Sequence, residues 1–127
     1  MPTYNLIRGV RIGSETFTHR EPVTEEEEVK LDVELDESAE LEEHIIQCDI
    51  SEMKALYCGV DQLGLLRINS NSAEPIALNP ELPLIWSDGS GEDNPLGVAD
   101  LTSIFITNSS SSGAMILHFR ALLNSEA

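Results

Sequence analysis

Val29, Leu31, Val33 and Leu35 alternate with Lys30, Asp32, Glu34 and Asp36, so every second side chain in this stretch is apolar and those between are charged. A chain that turns its side chains to opposite sides at each step is a β-strand, and this one has a face for a core and a face for water. The same period returns near the C-terminus, where Met115, Leu117, Phe119, Ala121 and Leu123 share one parity and Ile116, His118, Arg120 and Leu122 the other. Shorter runs of this kind cover residues 4–12, 16–20, 45–50, 54–60, 63–69, 75–78, 82–86 and 101–108. Turn formers separate them: Gly13-Ser14, Asp61-Gln62, Asn69-Ser70-Asn71-Ser72, Asn79-Pro80, and the segments 87–95 and 109–113. Short strands at such intervals, with little room for crossover helices, predict an all-β chain: an antiparallel β-sandwich or jelly roll of about 8–10 short strands. Only 24–28 and 38–44 carry the Ser or Thr cap followed by acids that opens a helix.

A length of 127 residues suits a single domain over 1–127, able to bury roughly two-thirds of its extended-chain surface without staples. Against 23 acidic residues stand 7 basic ones, a formal net charge of −16. That balance argues against a direct nucleic-acid groove and against attraction to anionic membranes, both of which need clustered Lys and Arg. No apolar run approaches the ~18–20 residues of a membrane span, and residues 1–8 lack a signal-peptide pattern, so a soluble protein made and kept in a cytoplasm is expected. Cys48 and Cys58 form neither a CxxC nor a Cys/His cluster, which predicts free, partly buried thiols and no bound zinc.

The acids are unevenly spread. Residues 21–43 hold 12 of the 23 with only Lys30 to oppose them, so this segment carries −11 and the rest −5. The block Glu25 to Glu28 repels itself and stays solvated, as a loop leading into an edge strand. On that strand the row Asp32, Glu34 and Asp36 guards an exposed edge against adventitious pairing, or meets a basic patch on a partner.

Other patterns fall short of chemistry. The loop 87–95 is rich in oxygen ligands, but an EF-hand register from Asp88 puts Asp93 where Gly is needed and Ala99 where a bidentate Glu is needed. Gly89-Ser90-Gly91 lacks the third glycine and following helix of a phosphate cradle. There is no GxSxG elbow, the histidines are His19, His44 and His118, and Cys48 shares parity with Ile46 and Ile50, a core-like place that quiets a thiol. The carboxylates crowd one solvated run instead of a concave pair, so no enzyme and no cofactor are expected. Asn108-Ser109-Ser110 matches a glycosylation acceptor by coincidence. Trp86 shares parity with Leu82 and Leu84 and is expected in the core, with an anchor at a partner interface as the alternative.

From 52 to 123 the order of features is Lys54-Ala55-Leu56-Tyr57, a polar 69–72 turn, Pro75-Ile76-Ala77-Leu78, Leu82-Pro83-Leu84-Ile85-Trp86, an acidic Gly/Ser loop and Asn94-Pro95-Leu96. It closes with residues 100–108 and a small-residue turn into 114–123. This order resembles the small β-sandwich structural proteins of tailed bacteriophages, the decoration or auxiliary subunits of the capsid. The resemblance implies a non-enzymatic virion protein that binds the major capsid protein, often as a homotrimer, and reinforces the shell against internal DNA pressure. It assigns no residues. Candidates for partner contact come from the chain itself: Tyr4, Arg8 and Arg11 on the first strand, and the acidic row Asp32, Glu34 and Asp36. Rival readings are a tail or head-fibre component, a Ca²⁺-dependent carbohydrate-binding module using Asp88, Glu92 and Asp93, and an acidic inhibitor that mimics DNA with the carboxylates of 25–36.

Overall fold

A computed structural model of the chain describes residues 3–24, 27–97, 100–110 and 113–124; within the first hairpin it describes only the backbone at 8–11, 17, 19, 21, 23 and 24. The strands are β1 (Thr3–Ile12), β2 (Glu15–Thr24), β3 (Glu27–Leu35), β4 (Glu42–Asp49), β5 (Met53–Val60), β6 (Gly64–Ile68), β7 (Ile76–Leu78), β8 (Leu84–Ser87), β9 (Asp100–Asn108) and β10 (Met115–Leu123). Two antiparallel four-stranded sheets, ordered β3-β10-β5-β8 and β4-β9-β6-β7, face each other, and β1 and β2 pair as a separate hairpin. The expected all-β sandwich is therefore the fold. No helix among the described residues is long and apolar enough to cross a membrane.

Alternation explains the core. Val33 and Leu35 of β3 and the whole odd parity of β10, Met115 to Leu123, point inward, and none of those five β10 side chains is more than 2% exposed. Leu66, Leu78, Ile104 and Ile106 meet them from the second sheet. Trp86 lies in this core with its indole N–H donating to the Glu92 carbonyl at 2.8 Å, as an indole removed from water requires.

The structure corrects three expectations. Leu82 does not share the core with Trp86: it is 71% exposed, because residues 79–82 close a tight turn and β8 begins only after Pro83. Neither helix start is used. Residues 27 and 28 already belong to β3, paired with Leu123 and Leu122 of β10, while 25 and 26 lie outside the described residues. The segment 38–41 is a turn with Ser38 and Leu41 at positive φ, and β4 follows from Glu42. A single cap contributes about 1 kcal/mol. Laying an alternating apolar row on a core contributes several times that, so tertiary burial overrides the local helix signal.

Asn108, 2% exposed at the end of β9, ties the strand ends together. Its Nδ2 donates to the carbonyls of Asp36 and Gly113, both at 3.1 Å, and of Leu35 at 3.5 Å, while Oδ1 accepts from the Ser110 N–H at 3.0 Å. A buried amide so occupied offers nothing to a glycosyl donor, which agrees with coincidence as the reading of its acceptor motif.

The hairpin runs from the pair Thr3–Thr24 to the pair Ile12–Glu15, and Gly13 at φ +63° takes the first central position of its two-residue turn, where a type II′ turn needs positive φ. Its foot lies on the outer face of the first sheet. Leu6, 7% exposed, packs with Ala55 of β5 and Leu122 of β10, and Tyr4 and Ile85 flank them. This cover explains why Leu122, on the outward parity of β10, is fully buried.

Removing the Asn108 side chain takes a donor from the carbonyls of Leu35, Asp36 and Gly113 and an acceptor from the Ser110 N–H at a mostly buried junction, though the Asp36 carbonyl keeps the Ala39 N–H. Asn108→Ala is expected to lower stability by about 2–3 kcal/mol in urea unfolding. Asn108→Asp, which keeps the volume but aims a carboxylate at carbonyl oxygens, is expected to do at least as much damage; a loss below about 0.5 kcal/mol in either variant would refute the role.

Candidate functional site

The cross-strand register of β3 and β10 sets Asp32 opposite His118, with Arg120 one outward position further along. Asp32 Oδ1 stands 2.6 Å from His118 Nδ1 and 2.9 Å from Arg120 Nη1, and Arg120 Nη2 donates to Oδ2 at 3.2 Å, a two-pronged grip on the carboxylate. Arg120, and after it His118, hold the Asp32 carboxyl down at about 2. The same pairing raises the Arg120 guanidinium.

The foot of β1 closes over this cluster. Tyr4, Asn5, Leu6, Tyr57 and Arg120 line a shallow depression of about 230 Å³. The Tyr4 hydroxyl is shielded from water and makes no hydrogen bond of good geometry. Burial, with the Glu28 carboxylate beside it, pushes this phenol well above its ordinary value. Tyr57 lies flat along β5 over Gly59, and a Cβ at 59 would run into the Tyr57 ring. Gly59 thus makes room for an aromatic ring that forms the floor of the depression.

The cluster works as a latch between β3 and β10. The carboxylate is taken by two cations, and the two thiols lie on other strands: burial pushes Cys58 up to about 12, and burial with Asp49 and Asp100 nearby raises Cys48. The 87–95 loop gathers Asp88, Glu92 and Asp93 around a separate depression of about 220 Å³ with Trp86 and Asn94. There Lys54 Nζ approaches Asp88 at 3.4 Å, and the Glu92 carbonyl is committed to Trp86. Among the described residues no three His, Cys, Asp or Glu side chains converge into a metal-holding group.

Of the partner-contact candidates, the structure brings Tyr4 and Asp32 together through Arg120. Glu34 stays exposed further along β3 and Asp36 stays exposed just past its end, neither with an ion pair among the described residues. Arg8 sits opposite His19 and Arg11 opposite Thr16 in the hairpin register, and their side chains lie outside the description. β3 and β4 are edge strands of their own sheets, so the acidic segment runs along one flank of the sandwich. His118, Arg120 and Tyr57 were missed as site residues. Parity already turned His118 and Arg120 outward together; what the sequence lacked was any sign of which strand would lie opposite.

Comparison of the chain with protein-family models, with curated proteins and with solved structures found no match.

Two measurements check this description. The Asp32 carboxyl falls from an ordinary 3.8 to about 2 on folding, so its contribution to stability is complete above about pH 4 and lost as pH drops toward 2. Asp32→Asn is therefore expected to melt lower than the parent at pH 6, with the gap closing by pH 2; a gap constant across that range would remove the latch. With both thiols raised, the folded protein is expected to react sluggishly with Ellman's reagent at pH 8 and to release two equivalents only in denaturant.

Proposed function

We propose that the protein is a virion structural subunit, a capsid decoration protein that binds the major capsid protein as a homo-oligomer, with a trimer on a lattice three-fold axis as its simplest form. The observation that carries this reading is the hairpin. Ten paired residues per strand span about 33 Å, yet the described packing on the sandwich is confined to its foot, at Tyr4 and Leu6. Beyond the foot, Ile7 and Ile12 are 50% and 64% exposed. A lone subunit gains nothing by presenting isoleucines to water on an extended arm, whereas a subunit that assembles gains a handle.

The sandwich suits such a role. Short strands closed on one dry core make a stiff slab, and many copies on a lattice add weak contacts into a strong total. A three-fold arrangement asks only a modest patch of each subunit. The carbohydrate-binding alternative is less well supported, because Trp86, the aromatic nearest the acidic loop, is buried with its indole N–H already bonded.

Negative-stain images of particles produced with and without the gene for this chain test the proposal. Regular knobs over the head that vanish with the gene and return on adding purified protein are expected. Density restored only at the tail would make it a tail or fibre component, and no particle association would end the virion reading.

A further inference from the structure

The hairpin and the body of this subunit carry opposite charge. Residues 3–24 hold three arginines (Arg8, Arg11, Arg20) and two glutamates, a net +1, while residues 25–127 hold four basic and 21 acidic residues, a net −17. Geometry places these poles apart. Tyr4 stands beside Glu28 and Arg120, on β3 and β10, and Leu6 stands over Ala55 and Leu122 and beside Ile85 of β8, so β1 crosses the outer face of the first sheet from its β3 side toward its β8 side. That heading carries residues 7–12 away from the β3 edge, in the direction of β8. The acidic flank lies at the β3 edge, where β3 passes into β4 through residues 36–41.

That flank also carries exposed apolar surface. Leu41, the last residue of the turn before β4, is 40% exposed and Ile45 on β4 is 66% exposed, among the exposed carboxylates of Glu37, Glu40 and Glu43. None of these three carboxylates has an ion pair among the described residues. Beside Leu41 the surface dips into a depression of about 270 Å³ lined by Glu40, Leu65, Asn71, Thr107 and a single cation, Arg67. Two of the exposed isoleucines are on the arm and this apolar ground is on the flank, so the two surfaces are alike in apolar exposure and opposite in charge.

We propose that the β1–β2 arm of one copy docks on the β4 flank of a second copy, Ile12 at its tip seated beside Leu41 and the net positive charge of the arm set against Glu37, Glu40 and Glu43. Arm and flank are different surfaces, so the contact is head-to-tail and repeats: it closes into a ring where the rotation permits, or continues as an open chain. The second copy is the occupant because the positive pole is on the arm and the negative pole on the body of the same chain. This rests on the assembly reading above and names the surfaces through which it would act.

Sedimentation velocity over about 10–100 µM tests it at two salt concentrations, since the screening length falls from about 10 Å at 0.1 M to about 3 Å at 1 M. The parent is expected to form species of two or more copies at 0.1 M and to sediment as a monomer at 1 M. An arm-reversed variant (R8E/R11E/R20E) and a flank-reversed variant (E37K/E40K/E43K) are each expected to be monomeric alone and to recover mass when mixed in equal amounts. A control with the same charge change elsewhere (E74K/E81K/E92K) is expected to associate as the parent does and not to rescue the arm-reversed variant. If a triple variant does not fold, as judged by its urea transition, Ile12→Asp at the exposed tip replaces it and is expected to be monomeric. A parent that is monomeric at 0.1 M, an arm-reversed variant that keeps the parent's mass, or a mixture that stays monomeric overturns the inference. Particle attachment is scored separately: attachment without self-association overturns this inference alone, and self-association without attachment overturns only the virion reading.

Discussion

The structure depends on the burial of β10 from both sides. Its odd-numbered side chains, Met115 to Leu123, fill the space between the sheets, and Leu122 on its other face is covered by Leu6 from the hairpin. Each such side chain taken out of water contributes about 2 kcal/mol. A slip of one residue against β3 would turn Phe119 to solvent and carry Arg120 into the core, so the register is fixed by apolar burial alone. Asp32 then falls opposite His118, within reach of Arg120. The polar latch is thus a product of the apolar register and adds to it little beyond orientation, since an ion pair this exposed is heavily screened.

Period-two alternation was enough to locate the ten strands of the described residues, because most of them lay apolar side chains on a core on one side. Boundaries drifted where that signal weakens. β4 starts at Glu42 although the apolar run begins at Ile45: Glu42, Glu43 and His44 pair with Ile106, Phe105 and Ile104 of β9, and an edge strand can carry charge on pairing residues without leaving its ladder. β2 continues to Thr24 although 16–20 was the visible run, since its pairing with β1 is backbone bonding and needs no core. The helix starts at 24–28 and 38–44 were local signals that lost to long-range pairing, a contest no single stretch of sequence displays.

The candidate site was legible only in its parts. Asp32 stood out as one of an acidic row, and His118 and Arg120 as outward neighbours, but Asp32 and Arg120 are 88 residues apart in the chain and meet only through a sheet order that composition does not encode. Their meeting changes the meaning of the row. Asp32 is a fixed anchor, while Glu34 on the same strand and Asp36 just past its end remain solvated charges. Tyr57 was equally hidden, because its place over Gly59 follows from the missing side chain two residues on, a vacancy with no periodic signature.

The charge pattern can then be understood as a constraint on how such a slab meets other proteins. Among the described residues each edge strand at the acidic flank is paired with a strand on one side only, and a neutral edge of that kind would template sheet growth with any chain nearby. Carboxylates at Glu34, Asp36, Glu40 and Glu43 make backbone-to-backbone pairing at this edge costly for another acidic copy, because each approach of two such edges brings like charges together before any hydrogen bond forms. Docking through side chains escapes that penalty when the incoming element is basic, and on this chain the basic residues outside the body are those of the hairpin. The acids that penalise a like-charged edge contact would, on the docking proposed above, favour the basic arm, so one charge pattern would serve both ends.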